Sequence, residues 1–224
     1  MMKLTDNTVS ILKNFSSINP SIHIRKGNKI RTIAMSGNIA AVATVEDEFD
    51  SEFAIYDLNQ FLNGLKLYEN ASLDFSKDNC ILIKQGNHKI TYRLTDPSLI
   101  FSAEDRDIKL PSKDVCFILT EDNFEKLLKA SSVFGLPDFS VVGDGNEIFL
   151  QVAQKENSSS NEVSIVVGET SEEFKLNFKT ENLKIIPGNY EVVISKQLIA
   201  QFSNQNFDLT YFIGLESDSN FILN

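Results

Sequence analysis

The run Phe53-Ala54-Ile55-Tyr56-Asp57-Leu58-Asn59-Gln60-Phe61-Leu62 changes its period half-way along. Ahead of Asp57 it is a short apolar stretch of strand type. After it, Leu58, Phe61, Leu62 and Leu65 recur at the spacing of one helix face. The Asp57 carboxylate can satisfy a free amide of the first turn, so a strand is expected to lead straight into a short amphipathic helix. Val192-Val193-Ile194-Ser195 reads the same way, with Leu198, Ile199 and Phe202 predicting a helix that starts at Ser195.

Two more helices are expected outward of these. Thr5 precedes Thr8, Ile11, Leu12 and Phe15, and Thr120 precedes Phe124, Leu127, Leu128 and Ser131. All four are short, with one apolar face. Ile11-Leu12-Lys13-Asn14-Phe15-Ser16-Ser17-Ile18 resembles Leu127-Leu128-Lys129-Ala130-Ser131-Ser132-Val133, and Leu12 and Leu128 lie about half a chain apart. The halves therefore read as a duplication, each helix, strands, helix, strands. The second half carries extra length, part of it in the serine-rich Lys155 to Asn161 tract.

Most of the remaining sequence is written in period two, as in Ile22 to Lys26, Ile39 to Val45, Cys80 to Lys84, His88 to Leu94, Glu147 to Val152 and Phe207 to Leu215. Gly27-Asn28, Gly37-Asn38, Gly86-Asn87 and Gly143 to Asn146 supply residues that tolerate positive φ where antiparallel strands reverse. A polar, Pro-punctuated linker between the halves falls near Phe101 to Pro111. The fold class is α+β, with antiparallel sheets.

The chain has 224 residues, enough for one large or two modest domains with a core of ordinary size. Its 31 acidic against 21 basic residues leave a net charge of −10, which argues against a general polyanion binder. Hydrophobic residues make up 42%, which excludes disorder as a description of the whole. No run approaches the roughly 18 apolar residues of a membrane span, and no standard secretion signal stands at the start. Cys80 and Cys116, each in an apolar run, are read as small hydrophobes of the core, which suits a reducing cytoplasm. His23 and His88 alternate with apolar neighbours and are expected to face outward.

No nucleophile elbow, phosphate loop, dinucleotide-binding glycine set or metal-binding spacing occurs, so neither a cofactor nor a metal is expected. The acidic run Glu46 to Glu52 lacks the central glycine and terminal glutamate of a calcium loop and reads as a solvated loop. The basic residues are more informative. Lys13, Lys66, Lys126, Lys129 and Lys196 fall on helix faces opposite the apolar stripes, among Asn, Gln and Ser.

Leu12-Lys13-Asn14-Phe15 with Ile18-Asn19, and Phe53 to Asn59 running on to Phe61-Leu62, strongly resemble the sliding clamps of T-even-type phages, the processivity factors of their DNA polymerases. Asp96-Pro97-Ser98, Pro187-Gly188-Asn189-Tyr190 and Leu215-Glu216-Ser217-Asp218-Ser219 follow in matching order, so that the resemblance spans essentially the whole chain. It implies the clamp fold, related in architecture to proliferating cell nuclear antigen. An N-terminal clamp domain would span 1–105, a connector 106–114 and a C-terminal clamp domain 115–224, each domain with two short helices. Three subunits would join head to tail into a closed ring, with twelve helices lining the hole. Lys13, Lys66, Lys126, Lys129 and Lys196 would then face double-stranded DNA.

The same resemblance implies a non-enzymatic factor acting in the cytoplasm of the infected bacterial host. Its partners would be the replicative polymerase, an ATP-dependent clamp loader and late-transcription factors. Short partner tails would dock in a pocket for which Ile39, Ile108, Leu110, Pro111, Leu209 and Tyr211 are candidates. For the subunit interface, Lys89, Ile90 and Tyr92 mark one expected edge strand and Phe174, Leu176 and Phe178 the other. The chain departs from the family pattern at its acidic Glu104 to Asp107 run and at its apolar end, Phe221 to Asn224. The alternatives are a β-rich phage structural or carbohydrate-binding protein and, behind it, a hydrolase using Asp47 and Asp50.

Overall fold

A computed structural model describes residues 1–157 and 159–222, with the side chain of Ile222 left aside. The chain divides into two units, Met1–Arg106 and Asp107–Asn224. In the first, α1 (Asp6–Ile18) is followed by β1 (Ile22–Ile24), β2 (Gly27–Ile33), β3 (Ile39–Phe49) and β4 (Phe53–Ile55). Then come α2 (Leu58–Leu65), β5 (Ser72–Asp74), β6 (Cys80–Gln85) and β7 (His88–Arg93).

The start of α1 is fixed twice. The Thr5 hydroxyl oxygen accepts from the Thr8 amide at 3.2 Å, satisfying one orphan donor of the first turn. The Thr5 amide and hydroxyl in turn both donate to the Asp47 carboxylate at 2.9 Å. Asp47 is buried near the end of β3, while Glu46 and Glu48 beside it are exposed. This corrects the solvated-loop reading of the acidic run, since Glu46 to Phe49 belong to a strand whose alternation turns Asp47 inward.

Leu58, Phe61 and Leu62 of α2 are buried, and Asp57 accepts from the Gln60 amide at 2.9 Å, so the expected strand-to-helix junction stands. β1 pairs antiparallel with β4, β2 with β3, and β6 with both β5 and β7. Met2 and Leu73 exchange backbone hydrogen bonds of 2.9 and 2.6 Å, which covers the outer edge of β5 and leaves β7 as the free edge of that sheet.

The second unit contains β8 (Val115–Leu119), α3 (Glu121–Phe134), β9 (Asp138–Asp144), β10 (Glu147–Ala153), β11 (Val163–Glu169) and β12 (Glu173–Lys179). It continues with β13 (Tyr190–Ser195), β14 (Ile199–Asn204), β15 (Leu209–Gly214) and β16 (Asn220–Ile222). The strands form two antiparallel arrays, β11-β10-β9-β12-β16 and β15-β14-β13-β8. α3 is capped by Thr120 and ends at Gly135, whose φ of 66° is the left-handed position a glycine adopts without strain. Beneath it, edge-to-face rings run from Phe124 through Phe139, Phe178, Phe202 and Tyr190 to Tyr211, with centroids 6.2 to 6.4 Å apart.

The helix expected from Ser195 is replaced by a hairpin. Ser195 does cap a free amide, but that of Gln197, and Leu198 turns back with φ 60° to start β14. Ala200 and Phe202 are buried, so period two governs here. Among the described residues the second unit has one α-helix, and the expectation of two per domain holds only for the first. Three more expectations are corrected. Cys116 is exposed, because β8 alternates and turns it outward, whereas Cys80 is buried. The His23 side chain is only 12% exposed, while His88 faces solvent. Of the apolar end, Phe221 and Ile222 pair with Phe174 and Glu173 of β12, and Leu223 and Asn224 lie outside the described residues, as does Ser158 of the serine-rich tract. No helix among the described residues is long and apolar enough to cross a membrane.

Replacing Asp47 with Ala strands the Thr5 amide next to the core and is expected to cost about 1–3 kcal/mol, measured as a fall in the urea midpoint at unchanged slope. Asp138 gives a pH signature. Burial alone raises its carboxyl pKa, but the Lys179 ammonium at 2.6 Å and the Lys155 amide at 3.0 Å outweigh this and hold it below the usual range. Its contribution to stability is present above the unfolded carboxylate pKa of about 3.9 and is lost as pH falls through the lower folded value. Asp138→Asn should therefore lower stability at neutral pH and flatten the acid limb of the stability curve; an unchanged limb would contradict this.

Candidate nucleic-acid and subunit interfaces

Each helix buries one stripe and leaves a polar face. On α1 and α2 that face carries Lys13, with Lys66 at the α2 C-cap, both exposed, among Ser10, Ser17, Asn59, Gln60 and Asn63. The one exposed carboxylate on these two helices is Asp6, in the first turn of α1 where a negative charge meets the helix dipole favourably. α3 differs. Lys126 pairs with Asp122, and Lys129 reaches Glu125 at 3.5 Å, both four residues ahead. With Glu121 the exposed face of α3 holds three carboxylates against two lysines. The acidic partners stand four residues ahead in the sequence, as Asp122-x-x-x-Lys126 and Glu125-x-x-x-Lys129.

Lys196 lies on no helix. It sits in the turn after β13, its amide donates to Asp114 at 2.7 Å, and its ammonium is 3.8 Å from Glu172 and 5.3 Å from the Phe221 ring centroid. It is thus drawn to local partners within the second unit, and its grouping with the helix lysines is corrected.

The expected edge strands divide. Lys89 on β7 is exposed, and Ile90 and Tyr92 are half-buried on a strand with one unpaired side. Tyr92 is anchored, its ring edge-on to Phe61 at 5.2 Å and its hydroxyl donating to the Asp57 carbonyl at 2.9 Å. Phe174, Leu176 and Phe178 are all buried, and their strand β12 runs between β9 and β16, so it offers no edge. The free edge of that sheet is β11, seven residues long with Val166 more than half exposed. The alternation in Val163-Ser164-Ile165-Val166 could have revealed a strand, but edge status depends on pairing order, which the local sequence does not encode.

Of the pocket candidates, Ile39, Leu209 and Tyr211 are at most 1% exposed and act as core, which corrects their assignment to a docking surface. Tyr211 is also polar glue. Its hydroxyl accepts from the Ile186 amide at 3.2 Å, while Tyr190 donates to the Ile186 carbonyl at 2.5 Å. Burial pushes both phenols up, Tyr190 to about 12. Ile108 and Pro111 are exposed and Leu110 half-buried. Among the described residues no group of His, Cys, Asp and Glu is arranged to hold a metal ion.

The family described as DNA polymerase processivity factor matches residues 5–101, and the one described as gp45 sliding clamp, C terminal, matches residues 116–217. A sliding clamp of Vibrio phage KVP40 is 34% identical over 223 residues, covering 96% of this chain and all of that protein. The sliding clamp of Enterobacteria phage T4 is 31% identical over 227 residues, covering 97% and 98%. In fold the chain is similar to PCNA from Thermococcus kodakaraensis, at TM-score 0.70 and 13% identity, with 96% and 98% covered. It is likewise similar to A. fulgidus PCNA bound to the C-terminal region of FEN-1, at TM-score 0.69 and 13% identity, with 95% and 96% covered.

Proposed function

The chain belongs to the sliding-clamp family of DNA polymerase processivity factors, and from that premise we propose that three copies close head to tail into a ring that encircles duplex DNA and tethers the replicative polymerase. The observation that carries the ring is that β7 in the first unit and β11 in the second each end their sheet with one side unpaired among the described residues. Such edges expose backbone donors and acceptors that a neighbour can satisfy, and a heterologous contact that closes by rotation satisfies all of them. Charge supports the match. β7 exposes Lys89 and Arg93, whereas Glu162 precedes β11 and Glu169 ends it.

The clamp domains are taken as 1–105 and 115–224, joined by the connector 106–114. An ATP-dependent loader would open and close the ring, and late-transcription factors would share its docking face in the cytoplasm of the infected bacterium. Ile108, Leu110 and Pro111 remain the accessible candidates for that docking. The chain itself would act as a tether without catalysis and without a cofactor. Family membership displaces the structural or carbohydrate-binding reading, and the burial of Asp47 against Thr5 removes the paired-carboxylate hydrolase.

Sliding requires weak, mobile phosphate contacts without base readout. α1, α3 and the C-cap of α2 carry lysine and no arginine, so they offer point charges and no bidentate grip. Because the α3 lysines face their own carboxylates, Lys13 and Lys66 should dominate DNA contact. Lys13→Glu with Lys66→Glu is therefore expected to shorten loader-dependent primer extension about tenfold at moderate salt, with Lys126→Glu and Lys129→Glu costing less. Equal products from all variants would contradict the inner-face assignment. Val166→Arg on β11 should dissociate the ring, and a variant of unchanged solution mass would remove β11 from the interface.

A further inference from the structure

A recess of about 300 Å³ opens in the first unit where β3 ends, β4 begins and the chain leaves β5. Its apolar wall is made by Met1 and Met2 and by a run of three rings, of which Phe49 and Phe53 belong to the core and Phe75 keeps accessible surface. Phe49 and Phe53 meet edge to face at 5.7 Å, and Phe53 and Phe75 are tilted at 5.1 Å, with half-buried Phe75 lining the recess. The volume sits at the lower end of ligand sites and has room for one large side chain.

The rim is electrically lopsided. On the β5 side the Asp74 carboxylate is neutralised by Lys84 and also accepts from the Ser76 amide at 2.9 Å. These bonds, Lys84 first, hold its pKa well below the usual carboxylate range. On the β3 side Glu48 and Asp50 are exposed, and neither has an ion-pair partner among the described residues. Two carboxylates without an ion-pair partner among the described residues therefore line the recess beside Phe75, and none of its lining residues belongs to a helix or to β7.

We propose that this recess docks a short basic segment of a partner protein, with one large apolar residue entering against Phe75 and flanking lysines or arginines meeting Glu48 and Asp50. An apolar anchor would supply the residence time, and the charges would supply the rate and the orientation of approach. Aromatic faces beside carboxylates also suit a cationic stem, which stacks its methylenes while its head stays wet.

The test is fluorescence anisotropy of a labelled Lys-Lys-Phe-Lys-Lys peptide with the full chain at low salt. Saturable binding is expected, with Lys-Lys-Ala-Lys-Lys and Glu-Glu-Phe-Glu-Glu each at least about tenfold weaker. Glu48→Lys with Asp50→Lys should weaken it by a similar factor. Ser76→Trp, which fills the recess and leaves its charge unchanged, should do the same, with the solution mass of both variants unaltered. Absence of binding by the phenylalanine peptide would overturn the proposal. Equal binding of the alanine peptide, or undiminished binding to the Ser76→Trp chain, would reduce it to diffuse attraction by an acidic surface and overturn it equally.

Discussion

Helices of two to four turns do not hold themselves in water, and everything in this chain follows from where their apolar stripes can be laid. Phe15, Phe61 and Phe124 each carry such a stripe into the interior of their unit, and each is at most 3% exposed. Burying that stripe turns the opposite face outward with whatever charge it bears. The functional surface is in this sense a by-product of core packing: Lys13 is exposed because Leu12 and Phe15 are not. The caps at Thr5, Asp57 and Thr120 fix where each helix starts, and so which residues share the wet face.

The strands impose a second constraint. Antiparallel arrays of this length satisfy their interior backbone groups but not their borders. One border of the first unit is covered by the Met2–Leu73 exchange, and short β16 lines β12 in the second. Two of the uncovered borders, β7 and β11, bear opposite charge at their flanks. A ring is one way of covering both of these edges, and it makes retention on DNA a matter of closure. Weak lysine contacts and a net charge of −10 are then consistent with tethering.

Local signals in the sequence were reliable where propensity, capping and periodicity agreed. They placed α1, α2 and α3 and most strands, because a stripe such as Ile11, Leu12 and Phe15 has only one sensible geometry. They failed at Ser195. Its spacing to Leu198, Ile199 and Phe202 fits a helix, and its hydroxyl does cap an amide, yet the same residues also alternate as Ala200 and Phe202 in a strand that β13 and β15 can pair. Pairing partners decide such cases, and they lie elsewhere in the chain. The same limit explains β12, whose apolar Phe174, Leu176 and Phe178 mark a strand interior and not a border. Asp47 and the α3 carboxylates show the converse, since composition counts them as solvated charge while geometry gives them specific partners.

The claim on which the account rests is closure of the free edges between copies. Light scattering of the full chain over a wide dilution range tests it most directly. The account predicts a species of about 75 kDa, three times the 25.1 kDa chain, that passes to monomer on dilution without a stable dimer. A monomer at every concentration would leave the clamp fold intact and contradict the ring.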